Sequence, residues 1–409
     1  MGAEKKKFPK IRFEGFESHW LKSKLGNLTD IKSGTTPSRQ EPRFYENGTI
    51  NWIKTTDLNN YFLSESSEKI TDFALKNNSL KVYPENTLFL AMYGGFNQIG
   101  RVSLMIEKST CNQALSALIP KKGFSASYLL YFLINNRGKW KRFAASSRKD
   151  PNITKSDVED FLVTYPIIEE QTQIGNFFQK MDEVIGLQQK RLALTQDYKK
   201  SMLQKMFPQK GEKVPRVRFG GFSDEWRNKK LSDLGYIQTG TTPTTSNSKY
   251  YHSVGMLWIT PSDINSVVTT NSAKKLSPEG IKVARVVESE SILITCIASI
   301  GKTTMVREPV AFNQQINSLT PDKTKYYPYF LLVQSYHWSN MMKSFASKGM
   351  MQIVNKSDFS TIPTLVPCLA EQTAIGNFFQ KLDEKIEAES AKLEKLQVMK
   401  KAMLQRMFV

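Results

Sequence analysis

Two stretches of the chain carry apolar residues at a seven-residue spacing. In residues 371–408, Ile375, Leu382, Leu396 and Met403 fall on one ladder, and Phe379, Ile386, Leu393 and Met407 on a second. In residues 170–207, Ile174, Met181 and Met202 fall on one ladder, and Phe178, Ile185, Leu192 and Met206 on the other. Two apolar seams of this kind suit a coiled coil, so the spacing predicts one long helix in each stretch, the two packing on each other. Two helices buried separately in their own domains is the competing reading. Neither stretch contains proline, and only Gly175, Gly186 and Gly376 interrupt good helix formers. Pro166 and Pro367 lie just ahead, where helix starts tolerate them. A helix of about 38 residues is about 57 Å long at 1.5 Å per residue, the length of a spacer rather than of a domain core.

The two stretches are copies. Residues 170–183 return as residues 371–384 with twelve of fourteen positions identical. The repeat extends outwards. Pro9-Lys-Ile-Arg-Phe-Glu-Gly-Phe-Glu-Ser-His-Trp20 matches Pro215-Arg-Val-Arg-Phe-Gly-Gly-Phe-Ser-Asp-Glu-Trp226, and Gly34-Thr-Thr-Pro37 matches Gly240-Thr-Thr-Pro243. Trp52-Ile-Lys-Thr-Thr-Asp57 matches Trp258-Ile-Thr-Pro-Ser-Asp263, and Lys155-Ser-Asp157 matches Lys356-Ser-Asp358. Each copy therefore has a divergent globular part followed by a nearly constant helix. If the helices pair antiparallel, the globular parts sit at opposite ends, related by an approximate internal two-fold axis. On duplex DNA such a molecule reads two half-sites about 34 Å apart. Because the globular parts differ, the target is expected to be bipartite and asymmetric.

Composition narrows the partner. The chain has 409 residues, a formal net charge of +19 and an isoelectric point near 9.6. That balance favours a polyanion, nucleic acid before an anionic membrane surface; a solubility role is the bland alternative. Cys111, Cys296 and Cys368 are isolated, which fits a reducing cytoplasm and no zinc site. No apolar run follows the charged start and no stretch of 18 apolar residues exists, so neither a signal peptide nor a membrane span is expected.

Candidate DNA contacts lie in the divergent parts. Ser38 and Arg39 follow the first Gly-Thr-Thr-Pro loop, and Thr244, Thr245, Ser246 and Asn247 follow the second, with Lys249 close behind. Such side chains donate to phosphates and base edges, although Gly, Thr, Pro and Ser also make ordinary turns. Lys54 and Thr260 sit in the turn after a strand carrying Trp52 or Trp258. These tryptophans are expected in the core, and Asp57 and Asp263 are expected to cap the turn. The glycine-rich segment from Ala91 to Arg101 offers Tyr93, Asn97, Gln98 and Arg101 for stacking and bidentate contacts; Lys302 belongs to its shorter counterpart. The pairs Asn112-Gln113 and Asn313-Gln314 are either adenine-reading or buried strand polars. Arg148 and Lys149, with Lys139, Lys141 and Arg142 around Trp140 and Phe143, suit a phosphate-facing helix and loop, or a solvated helix face. Lys348, beside Lys343, and Gln352 are their counterparts in the second copy.

No catalytic constellation stands beside these. His19, His252 and His337 form no metal-spaced pattern, no Walker loop is present, and the Asn-Pro-Pro-Tyr or Asp-Pro-Pro-Tyr motif that adenine methylation needs is missing. A basic, duplicated chain with helical spacers and no chemistry of its own reads as a targeting subunit. A coiled-coil scaffold or a DNA-binding regulator without split-site reading is the alternative.

The pattern resembles the specificity subunit of type I restriction-modification systems. The likeness rests on Pro-x-[Ile/Val]-Arg-Phe-x-Gly-Phe followed by Trp20 or Trp226, on Gly-Thr-Thr-Pro, on Trp-Ile-x-x-x-Asp, and on Glu-Gln-Thr-x-Ile-Gly-Asn-Phe-Phe. It covers the whole chain. It implies a mixed α/β (α+β) fold with two target recognition domains, residues 1–165 and 209–366. Two conserved helical spacers, 166–208 and 367–409, form a pair of long antiparallel coiled-coil helices. It also implies two methyltransferase (modification) subunits that bind S-adenosylmethionine and methylate adenine, and restriction subunits that translocate and cut. S-adenosylmethionine, ATP and Mg are expected on those partners, and no cofactor on this chain. Near identity of the helix starts is what two copies of one methyltransferase would require. Glu170, Gln171, Phe177, Phe178, Glu371, Gln372, Phe378 and Phe379 are therefore expected in the partner contact and the helix-pair packing, not on DNA.

Overall fold

The structure, a computed structural model, describes residues 8–145, 152–346 and 353–409. The fold is mixed α/β, and two long helices are present as the periodicity predicts, Ile168–Lys205 and Leu369–Met407. The compact units do not follow the four consecutive segments read from the sequence. One comprises residues 1–189 with 392–409, the other residues 190–391. The reason is hydrophobic. The last turns of each helix carry apolar residues that complete the core of the unit built mainly by the other repeat. Leu404, Met407 and Phe408 lie in the core of the first unit, and Met206 and Phe207 in that of the second. Burying a side chain such as Phe408 contributes roughly 1.5–3 kcal/mol.

In the first unit a five-stranded sheet has the order Thr29–Ser33, Leu115–Pro120, Thr87–Ala91, Val102–Met105, Phe62–Leu63. It is antiparallel except for its last, parallel pair. A second sheet joins Lys69–Ile70, Ile50–Ile53 and Ser109–Cys111. Thr87–Ala91 is buried along its whole length, as an inner strand covered on both faces must be. The helix Ala126–Asn135 covers the sheet with Tyr128, Tyr131 and Phe132, started by Ser125, whose hydroxyl accepts from Tyr128 N. Leu21–Lys24 pairs with Leu162–Tyr165 and ties the start of the domain to the chain entering the long helix.

The second unit repeats this order with its own strands. Its five-stranded sheet runs Gly235–Thr239, Ile316–Pro321, Ile292–Thr295, Thr303–Val306, Val268–Thr269. The companion sheet has five strands rather than three, gaining Tyr251–His252 and Val286–Val287 beside Lys274–Leu276, Met256–Ile259 and Val310–Phe312.

Within each unit the two long helices run antiparallel. In the first, Phe178 stacks on Phe408 at 5.8 Å and Asp182 meets Lys400. In the second, Phe207 lies 6.0 Å from Phe379, Lys199 meets Asp383, and Arg191 meets Glu389. The heptad ladders skip residues 188, 195, 199, 389 and 400. These positions stay on the seam, and polar side chains fill them. Gln188, Thr195, Glu389 and Lys400 are buried. Glu389 accepts from Arg191 Nε at 2.9 Å and from the Thr195 hydroxyl at 3.0 Å. Lys400 lies 4.2 Å over the Tyr61 ring; burial pushes its ammonium pKa down and Asp182 pulls it back up. Polar seam residues of this kind cost stability and select register, because a shifted pairing would strand them unpartnered.

Candidate nucleic-acid interface

The helix starts are built from the two most similar segments of the repeat, which turn out to be each other's partners. Arg12 donates from Nε and Nη2 to the two oxygens of Glu170, both at 2.8 Å, and Nη2 also donates to Ser18 O at 2.8 Å. In the second unit Arg218 makes the same fork to Glu371 at 2.6 and 2.7 Å, with Asp224 O at 2.7 Å. Ile11 N donates to Arg406 O at 3.0 Å, and Val217 N to Lys205 O at 2.9 Å. Gln171 accepts from Ser125 N at 3.0 Å and donates to Pro166 O at 2.8 Å; Gln372 does so with Tyr327 N and Pro367 O, both at 3.0 Å. Phe13 meets Phe177 edge-on at 5.9 Å, and Phe219 meets Phe378 at 6.0 Å.

Of the two roles expected for these residues, partner contact and helix-pair packing, Phe178 and Phe379 take the second, against Phe408 and Phe207, and the glutamates turn inwards to their arginines. Glu170, Gln171, Phe178, Glu371, Gln372 and Phe379 are buried, and Phe177 and Phe378 are half-buried against the arm. Their near identity in the two copies is accounted for by packing and by a buried carboxylate that needs its arginine. The face of the same segment left outside carries Asn176, Lys180 and Glu183 in the first unit and Asn377, Lys381 and Glu384 in the second.

The Gly-Thr-Thr-Pro loops rest on an aromatic frame. Trp52 Nε1 donates to Thr35 O at 3.1 Å and Tyr45 OH to Pro37 O at 2.6 Å. Trp258 and Tyr251 do the same for Thr241 O at 3.2 Å and Pro243 O at 2.7 Å. Gly34 is required by close approach, since a Cβ there would lie 2.0 Å from Cys111 O. Trp52 and Trp258 are buried, as expected of core residues. Asp57 accepts from Lys54 N at 2.8 Å and Asp263 from Thr260 N at 2.8 Å, each capping its turn as expected. Asn112 and Asn313 brace turns, accepting from Ala114 N at 3.2 Å and Gln315 N at 2.8 Å, while Gln113 and Gln314 are exposed.

Ser38 and Arg39 are exposed on the first frame. Arg39 and Lys54 are brought together by Glu68, a residue the sequence reading missed because nothing local links it to either. Lys54 Nζ lies 2.9 Å from Glu68 Oε2, and the hydrogen bonds from Arg39 lower the Glu68 carboxyl to about 2. In the second unit Thr244, Thr245 and Lys249 are exposed, while the Thr260 hydroxyl is spent on Ser262 and Asp263.

The loop of Tyr93, Asn97, Gln98 and Arg101 sits next to the Lys54 turn: a Cβ on Gly94 would come within 3.9 Å of Thr55. Tyr93 and Phe96 are exposed, Gln98 and Arg101 half-exposed. Arg101 donates to Asn97 O at 3.2 Å and to Asn59 Oδ1 at 3.1 Å. Arg137, which the sequence reading passed over, donates to the same Asn97 O at 2.7 Å. Burial, then the charge of Arg101, lowers the Arg137 pKa. Two guanidiniums crowded on one carbonyl favour an approaching anion. Lys302, in the corresponding turn of the second unit, is exposed, and its backbone N–H bonds Thr295 Oγ1 at 3.0 Å. Trp140 is buried and stacked on Phe161 at 3.9 Å, anchoring the helix that carries the basic residues. Lys141 and Arg142 on the same helix are exposed. Arg148, Lys149, Lys348 and Gln352 lie outside the described residues. Among the described residues no group of three or more His, Cys, Asp and Glu side chains could hold a metal, and no helix is long and apolar enough to cross a membrane.

A family model described as "Type I restriction modification DNA specificity domain" matches residues 17–196 and 223–398. The "Type I restriction enzyme MjaIX specificity subunit" of Methanocaldococcus jannaschii is 25% identical over 238 residues, 54% of this chain and 53% of that protein. The "Type I restriction enzyme HindI specificity subunit" of Haemophilus influenzae is 33% identical over 146 residues, 35% of this chain and 32% of that protein. The chain thus spans about half the length of the first relative and about a third of the second. Among solved structures, the type I restriction-modification S subunit from M. genitalium superposes with a TM-score of 0.67 at 15% identity, covering 98% of this chain and 99% of that one. A chain from work on complex assembly and conformational transition of the type I R-M system gives 0.54 at 17% identity, covering 95% and 97%.

Proposed function

The chain belongs to the type I restriction-modification DNA specificity family, and on that premise we propose that it is the sequence-reading subunit of such a complex, without catalysis of its own. Each unit takes one half of a bipartite, asymmetric duplex target, and partner subunits methylate adenine or cut. S-adenosylmethionine, ATP and Mg belong to those partners, and the DNA places the complex in the cytoplasm. One observation carries this reading. Both units present the same loop on the same Tyr and Trp frame, yet set different side chains on it: Arg39, Lys54 and Glu68 against Thr245, Thr260 and Lys274. A shared frame with divergent exposed groups is what two readers of different sequence need. The methyltransferase contact falls on the outward residues common to both helix starts, Asn176, Lys180, Glu183 and Asn377, Lys381, Glu384.

The test is selection from a random duplex library by the chain purified with its methyltransferase, repeated across salt concentrations. One split sequence should emerge, with affinity falling steeply in salt at a log–log slope of about −0.9 per phosphate neutralised. Binding that ignores sequence in the presence of the partner would favour a scaffold or a general DNA-binding regulator.

A further inference from the structure

The two frames can be compared position by position. Ser66 Oγ donates to Glu68 O at 2.6 Å in the first unit, and Ser272 Oγ donates to Lys274 O at 2.6 Å in the second. Glu68 and Lys274 therefore occupy matching places beside the buried tryptophan: Glu68 immediately precedes the strand Lys69–Ile70, its carbonyl accepting from Trp52 N, and Lys274 opens the strand Lys274–Leu276 opposite Trp258. In the first unit the guanidinium of Arg39 lies 4.4 Å from the centre of the Tyr45 ring and 5.2 Å from that of Trp52. In the second unit the cation over the matching ring, Tyr251, is Lys274 at 5.5 Å. Opposite charges thus stand at one position of a common frame, and the place of Arg39 is taken by Thr245 in the second unit.

The way Glu68 holds Arg39 leaves a reading edge open. Nη1 donates to Oε1 and Nη2 to Oε2, the second at 2.9 Å, so the carboxylate occupies the end of the fork. The Nε–H and the remaining outer Nη2–H form the other edge, and among the described residues Nε makes no hydrogen bond. The Arg39 side chain is 55% exposed and that of Glu68 25%. Two parallel donors at this spacing match the N7 and O6 acceptors of guanine; adenine presents an N6 donor where guanine has O6. Stacking on two rings sets the guanidinium plane, and the carboxylate sets its rotation. An arginine ordered before DNA arrives loses less side-chain freedom on binding.

We propose that Arg39 is a specificity-determining side chain of the first unit, reading a guanine in the major groove, and that Glu68 is its positioning residue. This rests on the reading of each unit as a DNA reader. The second unit, with Thr245, Thr260 and Lys274 in the matching places, has no fork there, so the dependence on this contact is confined to one half-site.

The experiment is library selection with the chain bound to its methyltransferase, comparing wild type, Arg39→Lys and Glu68→Gln. Arg39→Lys keeps the charge at an exposed site and removes the fork. It should erase preference for guanine at one position of one half-site, a loss of about 5- to 150-fold in discrimination, with the other half-site unchanged. Glu68→Gln should weaken preference at that same position to an intermediate degree, without lowering affinity for all sequences alike. Unchanged base preferences in Arg39→Lys, while the wild type selects a split sequence, would overturn the inference. A uniform loss of affinity in Glu68→Gln would reduce Glu68 to a structural ion pair. A wild type that selects no sequence overturns the underlying reading and the inference with it.

Discussion

The helix start and the loop corner both centre on a carboxylate that grips an arginine, and they differ in what the second copy does with it. Glu170 and Glu371 are buried and make the same fork to Arg12 and Arg218 in the two units. Glu68 is partly exposed, and the second unit replaces it with Lys274. A buried carboxylate without its cation is expensive, so neither partner of the first pair can vary alone. An exposed pair is worth little to stability, so its residues are free to change with the DNA to be read. Burial, rather than residue type, separates the constant part of this protein from its variable part.

The hardest test of that contrast is to break the buried fork. Glu170→Ala should cost about 3–5 kcal/mol by leaving Arg12 unpaired, read as lost hydrogen-exchange protection over the start of the first long helix. Glu371→Ala should cost a similar amount in the second unit. A markedly smaller loss in either would break the equivalence. A smaller effect tests the same segment by crowding. A Cβ on Gly376 would sit 2.4 Å from Tyr327 Cδ1 and 2.9 Å from Phe330 N. Overpacking of about 1–3 kcal/mol opposes a gain of about 1 kcal/mol in helix propensity, so Gly376→Ala should lower stability by up to about 2 kcal/mol. Gly186→Ala, on the first helix with nothing within 4 Å of its Cβ, should instead raise stability by about 1 kcal/mol. The same substitution then has opposite signs at a packed and an open position, measurable by thermal unfolding.

The smallest effect belongs to the corner. The folded Glu68 pKa is depressed from 4.5 to about 2, so its contribution is present above pH 4.5 and is lost as pH falls towards about 2. Glu68→Gln should flatten the acid limb of stability of the first unit within that window, by a small amount because the pair is exposed to water. An acid titration of wild type and Glu68→Gln, followed by local probes in the first unit, measures the difference.

Much of this molecule was legible in its sequence because it is written locally. The seven-residue ladders predict helices that the structure places at Ile168–Lys205 and Leu369–Met407. A Trp-Ile-x-x-x-Asp motif suffices to place Asp57 and Asp263 as caps, since a cap bonds within its own turn. The skipped rungs were visible as gaps, but their meaning was not: whether Glu389 is solvated or buried depends on Thr195 and Arg191, nearly two hundred residues away. Glu170 shows the same limit. Its identity in both copies says that it matters, and not whether it faces a partner or an arginine 158 positions earlier.

By itself the sequence determined the duplication, the helices, the caps and the family, because period, spacing and identity between copies are properties of the chain alone. Only the tertiary structure decided that the end of each repeat completes the other repeat's unit, that the recurring glutamates point inwards, and that Glu68 pairs with Arg39 over the Tyr45 and Trp52 rings. These are choices of direction and pairing between distant segments. They are made by the burial of Phe207 and Phe408 and by the need of a desolvated charge for its counter-ion, which no local pattern records.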